Sequence, residues 1–185
     1  SSQTPLCAEQ LLKASEKAGL PKNVFQILHL DHSSTSKVIA DSRIDHILFT
    51  GSVSGGIEVK KAIGTRFIGA GLELGGKDPA YVRADCNFDH AVENLVDGSY
   101  YNSGQSCCGI ERIYVDEIIF DNFVDAFKTQ TEKYILNNPL DNNTNLGPVV
   151  KLSAANNIRN QVSKALNNGA TNIIDGSKFE IDNSK

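Results

Sequence analysis

Two short apolar runs, each followed by a helical period and then by another apolar run, constrain this chain more than any other feature. His46 to Thr50 reads HILFT, compact and apolar, which suits a buried strand. A Gly/Ser turn follows. A helical stretch then runs from Ser54 through Glu58, Lys61 and Ala62 and stops at Gly64, and Arg66 to Leu74 is again strand-like. After Gly75-Gly76 the pattern returns as strand Ala80 to Arg83, helix Phe88 to about Tyr101 and strand Ile110 to Val115. Strand, helix, strand at this spacing brings the second strand back parallel to the first. The order predicts an α/β fold of open, mostly parallel sheets in two lobes. The boundary falls near Gly75, giving residues 1–74 and 75–185.

The flanking segments read in the same way. Thr4 can cap a helix with Pro5 at its first position, ended by Gly19 and Pro21. Val24 to Leu30 reads as a strand, and His32 to Ala40 as a short helix with serine caps. Glu117 to Tyr134 reads as one amphipathic helix, with Ile118, Ile119, Phe123 and Phe127 on one face. A polar loop spans Asn137 to Pro148, a helix spans Ser153 to Asn168, and a strand from Asn172 to Asp175 follows.

Composition removes several function classes. The net charge is -4 and no Lys/Arg run occurs, so no footprint for nucleic acid or an anionic membrane is expected. No stretch approaches 18 apolar residues, the length a membrane-spanning helix needs. The four cysteines are Cys7, Cys86, Cys107 and Cys108. With no C-x-x-C pair they suit neither a zinc site nor a disulfide scaffold, and no metal site is expected. A reducing, cytoplasmic setting follows. The chain has 185 residues and no Met, where average usage gives roughly four. It is therefore expected to be a processed chain or a piece of a longer one.

Three stretches could carry chemistry. Phe49 to Gly56, FTGSVSGG, joins a strand to a helix; its backbone N–H groups at a helix N-terminus suit phosphate, but it lacks the full dinucleotide fingerprint and spacing alone favours an ordinary tight turn. In Leu72 to Lys77, LELGGK, Glu73 ends an apolar run. Desolvation there would raise its pKa into the range of a general base, whereas a strand-end Glu facing solvent or paired with Lys77 needs no function. In Asn102 to Cys108, NSGQSCC, a loop cysteine is open to substrate as a nucleophile or is a small buried apolar residue. Cys7, Cys86 and Cys108 are assigned to the buried reading. His29, His32, His46 and His90 show no metal-like or cysteine-pairing spacing and are read as structural, His46 within a buried strand.

FTGS, LELGGK and NSGQSCC together resemble the aldehyde dehydrogenase superfamily in order and spacing, with Cys107 following Glu73 by 34 positions. SSQTPL at the start and LGP at Leu146 to Pro148 also resemble that family, so the resemblance spans essentially the whole chain. It implies Cys107 as the nucleophile and Glu73 as the general base. It implies Gly51, Ser52, Gly56 and Leu74 at the cofactor, and Ser2 at the adenosine ribose. A serine at that position leaves room for a 2′-phosphate, so the implied cofactor is NAD or NADP.

The implied reaction oxidises a small-molecule aldehyde to a carboxylic acid through a cysteine thiohemiacetal and thioester. The backbone N–H of Cys107 is implied as one oxyanion donor. Residues 1–74 would be the C-terminal part of a Rossmann-like cofactor domain, and 75–185 the N-terminal part of the catalytic domain. The parent is implied to be a homo-oligomer. The family's first βαβ portion, its oxyanion Asn, the Lys before Ser1 and the downstream Glu motif are not in this sequence, so the isolated chain is expected to be inactive. The alternatives are a non-catalytic truncated remnant of the same fold and a thiol-redox protein using Cys107 and Cys108. The second is disfavoured because vicinal disulfides are strained.

Overall fold

The computed structural model describes residues 3–179. The chain divides between Leu74 and Gly75 into two compact units. Among the described residues, no helix is long and apolar enough to cross a membrane.

The first unit contains helix α1 (Pro5–Lys17), helix α2 (His32–Ala40), strand β1 (His46–Gly51), helix α3 (Val53–Ile63) and strand β2 (Gly69–Leu74). β1 and β2 pair in parallel from His46 opposite Gly69 to Gly51 opposite Leu74. Thr4 precedes α1 and Pro5 opens it, without a capping bond from the threonine hydroxyl. Asp31 rather than a serine caps α2, its Oδ1 accepting from Ser34 N–H at 2.7 Å. That bond holds the Asp31 carboxyl below its ordinary pKa. Ile39 of α2 and Val59 and Ile63 of α3 form the core, with Ile47, Phe49 and Leu72 packed against it. The strand residues between those positions face away, as the two-residue period requires. His46 is therefore exposed, not buried as its strand suggested.

Val24 to Leu30 is not a strand. The run has the residues for one, but a strand also needs a neighbour to take its backbone hydrogen bonds, and among the described residues the sheet of this unit holds β1 and β2 alone. The Arg66 guanidinium donates to the backbone carbonyls of Ile39 (2.7 Å) and Ile44, tying the end of α2 and the approach to β1 to the segment before β2.

The second unit contains strand β3 (Asp78–Val82), helix α4 (Phe88–Tyr100), strand β4 (Ile110–Val115), helix α5 (Phe120–Thr131) and helix α6 (Leu152–Asn167). β3 and β4 pair in parallel, with a register shift between Asp78 and Pro79, where proline has no N–H to give the ladder. Asn87 caps α4. The segment read as one helix from Glu117 is two. Asp116 accepts from Ile118 N–H at 3.0 Å and winds Glu117–Ile119 into a 3-10 turn, and α5 starts only at Phe120. Asn172 to Asp175 forms no strand, again for want of a ladder partner among the described residues.

The core of this unit is Val82, Val92, Val96 and Phe123. Phe88 meets Phe123 edge-on at 6.3 Å, and Phe123 packs on Phe127 at 5.8 Å. Tyr100 lies 5.6 Å from Tyr134. Burial pushes both phenols above their ordinary pKa. Thr131 is buried and donates its hydroxyl proton to Phe127 O at 2.8 Å.

Candidate active site

The first unit gathers four candidate cofactor residues at the carboxyl end of its sheet, the end where parallel α/β sheets bind ligands. Gly51 ends β1 and stands opposite Leu74, the end of β2. Ser52 caps α3, its Oγ accepting from Gly55 N–H at 3.1 Å and lying 3.0 Å from Ser54 Oγ. Gly56, in the first turn of α3, lies against Leu74: a Cβ there would sit 3.0 Å from Leu74 Cδ2. No acidic side chain occupies that first turn, and Ser52, Val53 and Ser54 are exposed. Hydroxyl and backbone donors at the positive end of an 11-residue helix suit a pyrophosphate. Ser2, the remaining cofactor candidate, lies outside the described residues.

Glu73 belongs to this first unit. Strand alternation separates it from Leu72 and Leu74, so its carboxylate is exposed rather than desolvated. Lys77 does not pair with it; Lys77 forms an ion pair with Glu111 instead.

Cys107 belongs to the second unit. Its thiol is free and exposed. Its carbonyl accepts from Gly76 N–H at 3.0 Å, so the Gly-Gly of LELGGK and the cysteine loop are bonded across 31 positions of sequence. The Lys77–Glu111 pair continues the same juxtaposition. Cys108 is exposed too, contrary to its assignment as a buried residue, with Sγ 3.3 Å from Ser106 Oγ. Cys7 is likewise exposed, because α1 buries none of its residues. Only Cys86 packs against a core as expected.

The loop before Cys107 holds features that sequence reasoning missed. Asn102 (φ 52°), Ser103 (φ 60°) and Gly104 (φ 72°) are three successive left-handed residues, two of them non-glycine. Ser103 Oγ donates to Gly147 O at 2.5 Å, and Gln105 Oε1 accepts from Val150 N–H at 2.9 Å. The available signal was the run of small and amide side chains in NSGQ, which favours local turns; their partners more than 40 residues later carry no such signal.

His29 bonds Glu9 at 3.0 Å, and His90 Nδ1 lies 3.1 Å from Asn94 Nδ2. Among the described residues, no three His, Cys, Asp or Glu side chains could together hold a metal ion.

Comparison with known proteins identifies the family. The sequence pattern of the aldehyde dehydrogenase family matches residues 1–185. The succinate semialdehyde dehydrogenase [NAD(P)+] Sad of Escherichia coli is 33% identical over 173 residues, which is 94% of this chain and 37% of that protein. The betaine aldehyde dehydrogenase of Staphylococcus aureus, solved in complex with NAD+, superposes with a TM-score of 0.82 at 30% identity, covering 89% of this chain and 33% of that one. The glyceraldehyde-3-phosphate dehydrogenase GapN of Methanocaldococcus jannaschii, complexed with NADP, gives 0.83 at 32% identity, covering 91% and 38%. The chain thus spans between 33% and 38% of the length of these relatives. The match runs through both units and all three motifs, and the chain belongs to the aldehyde dehydrogenase family.

Proposed function

We propose that this chain supplies part of the cofactor-binding domain (1–74) and part of the catalytic domain (75–185) of an enzyme that oxidises an aldehyde to a carboxylic acid with NAD or NADP. The observation that carries the reading is the free, exposed thiol of Cys107, on a loop bonded through Gly76 to the segment that follows Glu73. Family membership supplies the reaction class.

Gly51, Ser52, Gly56 and Leu74 would hold the dinucleotide, with Ser2 at its ribose. The open donors at the start of α3 and the absence of acid in its first turn fit the charge of a pyrophosphate. The Cys107 thiolate adds to the aldehyde carbonyl carbon, forming a C–S bond and an oxyanion that the Cys107 backbone N–H helps to hold. The bound dinucleotide would supply the two-electron acceptor that turns this thiohemiacetal into a thioester. Glu73, its carboxylate open to solvent, takes a proton from water; the hydroxide displaces the Cys107 sulfur and releases the acid. The four free cysteines support a reducing, cytoplasmic setting, and the whole protein is proposed to be a homo-oligomer.

The test uses the full-length protein that carries this chain. Cys107→Ser should abolish aldehyde-dependent NAD(P)H formation, and Cys108→Ser should leave it intact. Equal loss from both, or activity retained by Cys107→Ser, overturns the assignment.

A further inference from the structure

We infer that Gln105 and Ser103 are positioning residues that fix the backbone from which Cys107 presents its thiol. The inference rests on Cys107 being the nucleophile. The thiol is exposed, so side-chain packing does not aim it and its direction is set by the loop. That loop contains a strained element. Asn102 and Ser103 both sit in the left-handed region, where a Cβ crowds the backbone, and such a conformation persists only when surrounding bonds hold it.

The bonds are specific. The Gln105 carboxamide uses both ends: Oε1 accepts from Val150 N–H at 2.9 Å, and Nε2 donates to Asn102 O at 3.0 Å. Asn102 Nδ2 donates back to Gln105 O at 3.0 Å, closing the turn on itself. Ser103 Oγ makes the second tie to the 147–150 segment, through Gly147 O at 2.5 Å. That segment is itself anchored. Leu136 and Leu146 form a parallel bridge, Asn145 and Leu146 N–H both donate to Ile135 O at 3.2 Å, and Ile135 N–H donates to Asn145 Oδ1 at 2.6 Å. Ile135 follows α5, whose Phe123 and Phe127 belong to the core cluster. Position therefore passes from the aromatic core through 135–136 and 145–150 to Ser103 and Gln105, two residues before Cys107. The Gly76 bond to the Cys107 carbonyl fixes the loop on its other side.

The experiment compares Gln105→Met, Gln105→Glu and Ser103→Ala in the full-length protein. It measures kcat and KM for an aldehyde, together with the rate at which iodoacetamide alkylates Cys107, followed by peptide mass spectrometry. Alkylation needs a thiolate but no alignment with a bound substrate. A displaced nucleophile should therefore lower kcat about tenfold or more in Gln105→Met while alkylation and KM stay within about twofold. Gln105→Glu keeps the acceptor for Val150 and loses the donor to Asn102, so its kcat should lie between wild type and Gln105→Met. Wild-type kcat in both Gln105→Met and Ser103→Ala overturns the inference, as does a parallel fall of kcat, alkylation and Tm, which marks simple destabilisation. Should Gln105→Met not fold, Gln105→Glu and Ser103→Ala are read in the same way: a lowered kcat with alkylation and Tm kept supports the inference, and wild-type kcat in both overturns it. Activity surviving Cys107→Ser would instead remove the underlying function.

Discussion

In residues 1–74, α3 joins β1 to β2 over a core of Ile39, Val59 and Ile63; in residues 75–185, α4 joins β3 to β4 over Val82, Val92, Val96 and Phe123. Both are a parallel strand pair with a crossover helix, yet the cores differ in kind. The first is aliphatic, and its best-buried side chains keep 6–9% exposure. The second is partly aromatic; Val82, Val96 and Phe123 keep only 2–3%. The outer strand faces differ too. Leu48 on β1 is 81% exposed, whereas Tyr81 and Tyr114 stand opposite each other on β3 and β4 with amphipathic rings that tolerate water. The cysteine loop is bonded to a segment tied back to the better-buried core, while the candidate cofactor residues sit on a helix start and two strand ends.

The largest effect that could break this comparison comes from Phe123→Ala, expected to cost about 3–5 kcal/mol because it empties the centre of the aromatic cluster. Hydrogen exchange should show β3, α4 and β4 losing protection while β1, α3 and β2 keep theirs. Equal loss in both units would mean the two cores are not separate. A smaller effect belongs to the other unit. Ser52→Ala removes the cap of α3 and should cost about 1 kcal/mol, read as faster exchange at Gly55 and Gly56 with the second unit unchanged.

The smallest effect appears only in alkali. Burial raises the Tyr100 pKa, so the neutral phenol is the form the fold favours. Its stabilising contribution is fully present below the unfolded value near pH ~10 and is lost as pH rises through the folded value. Tyr100→Phe should flatten the alkaline limb of a stability-versus-pH curve for the second unit. An unchanged limb would sharpen the comparison by shifting the titration to Tyr134, whose phenol is also raised.

The two strand–helix–strand units were legible because their signals are local: the apolar run HILFT and the helix stop at Gly64 each act within a few residues. Val24 to Leu30 and Asn172 to Asp175 misled for the complementary reason. Their residues suit a strand, but a strand is completed by a neighbour that local sequence does not specify. Burial was the weakest inference. His46 is exposed because it lies on the face of β1 that meets no core, Cys7 because α1 buries none of its residues, and Cys108 because it sits in a turn. Of the two readings open for Glu73, desolvated or facing solvent, alternation along β2 gives the second. Among the candidate site groups, the turn at Gly51 and Ser52 was readable as a turn, and Gly76 meeting Cys107 was foreshadowed only by motif order. The ties from Ser103 and Gln105 to Gly147 and Val150 were invisible, since nothing near either end announces a partner 44 or 45 positions away.

The central claim is that Cys107 carries the acyl group and Glu73 activates the water that removes it. The direct measurement is intact-protein and peptide mass spectrometry of full-length Glu73→Gln after incubation with an aldehyde and NAD(P). The account predicts one acyl group in thioester linkage on the peptide containing Cys107, released by hydroxylamine and lost when Cys107→Ser is added. Acylation of Cys108, or no adduct together with wild-type turnover, would contradict it.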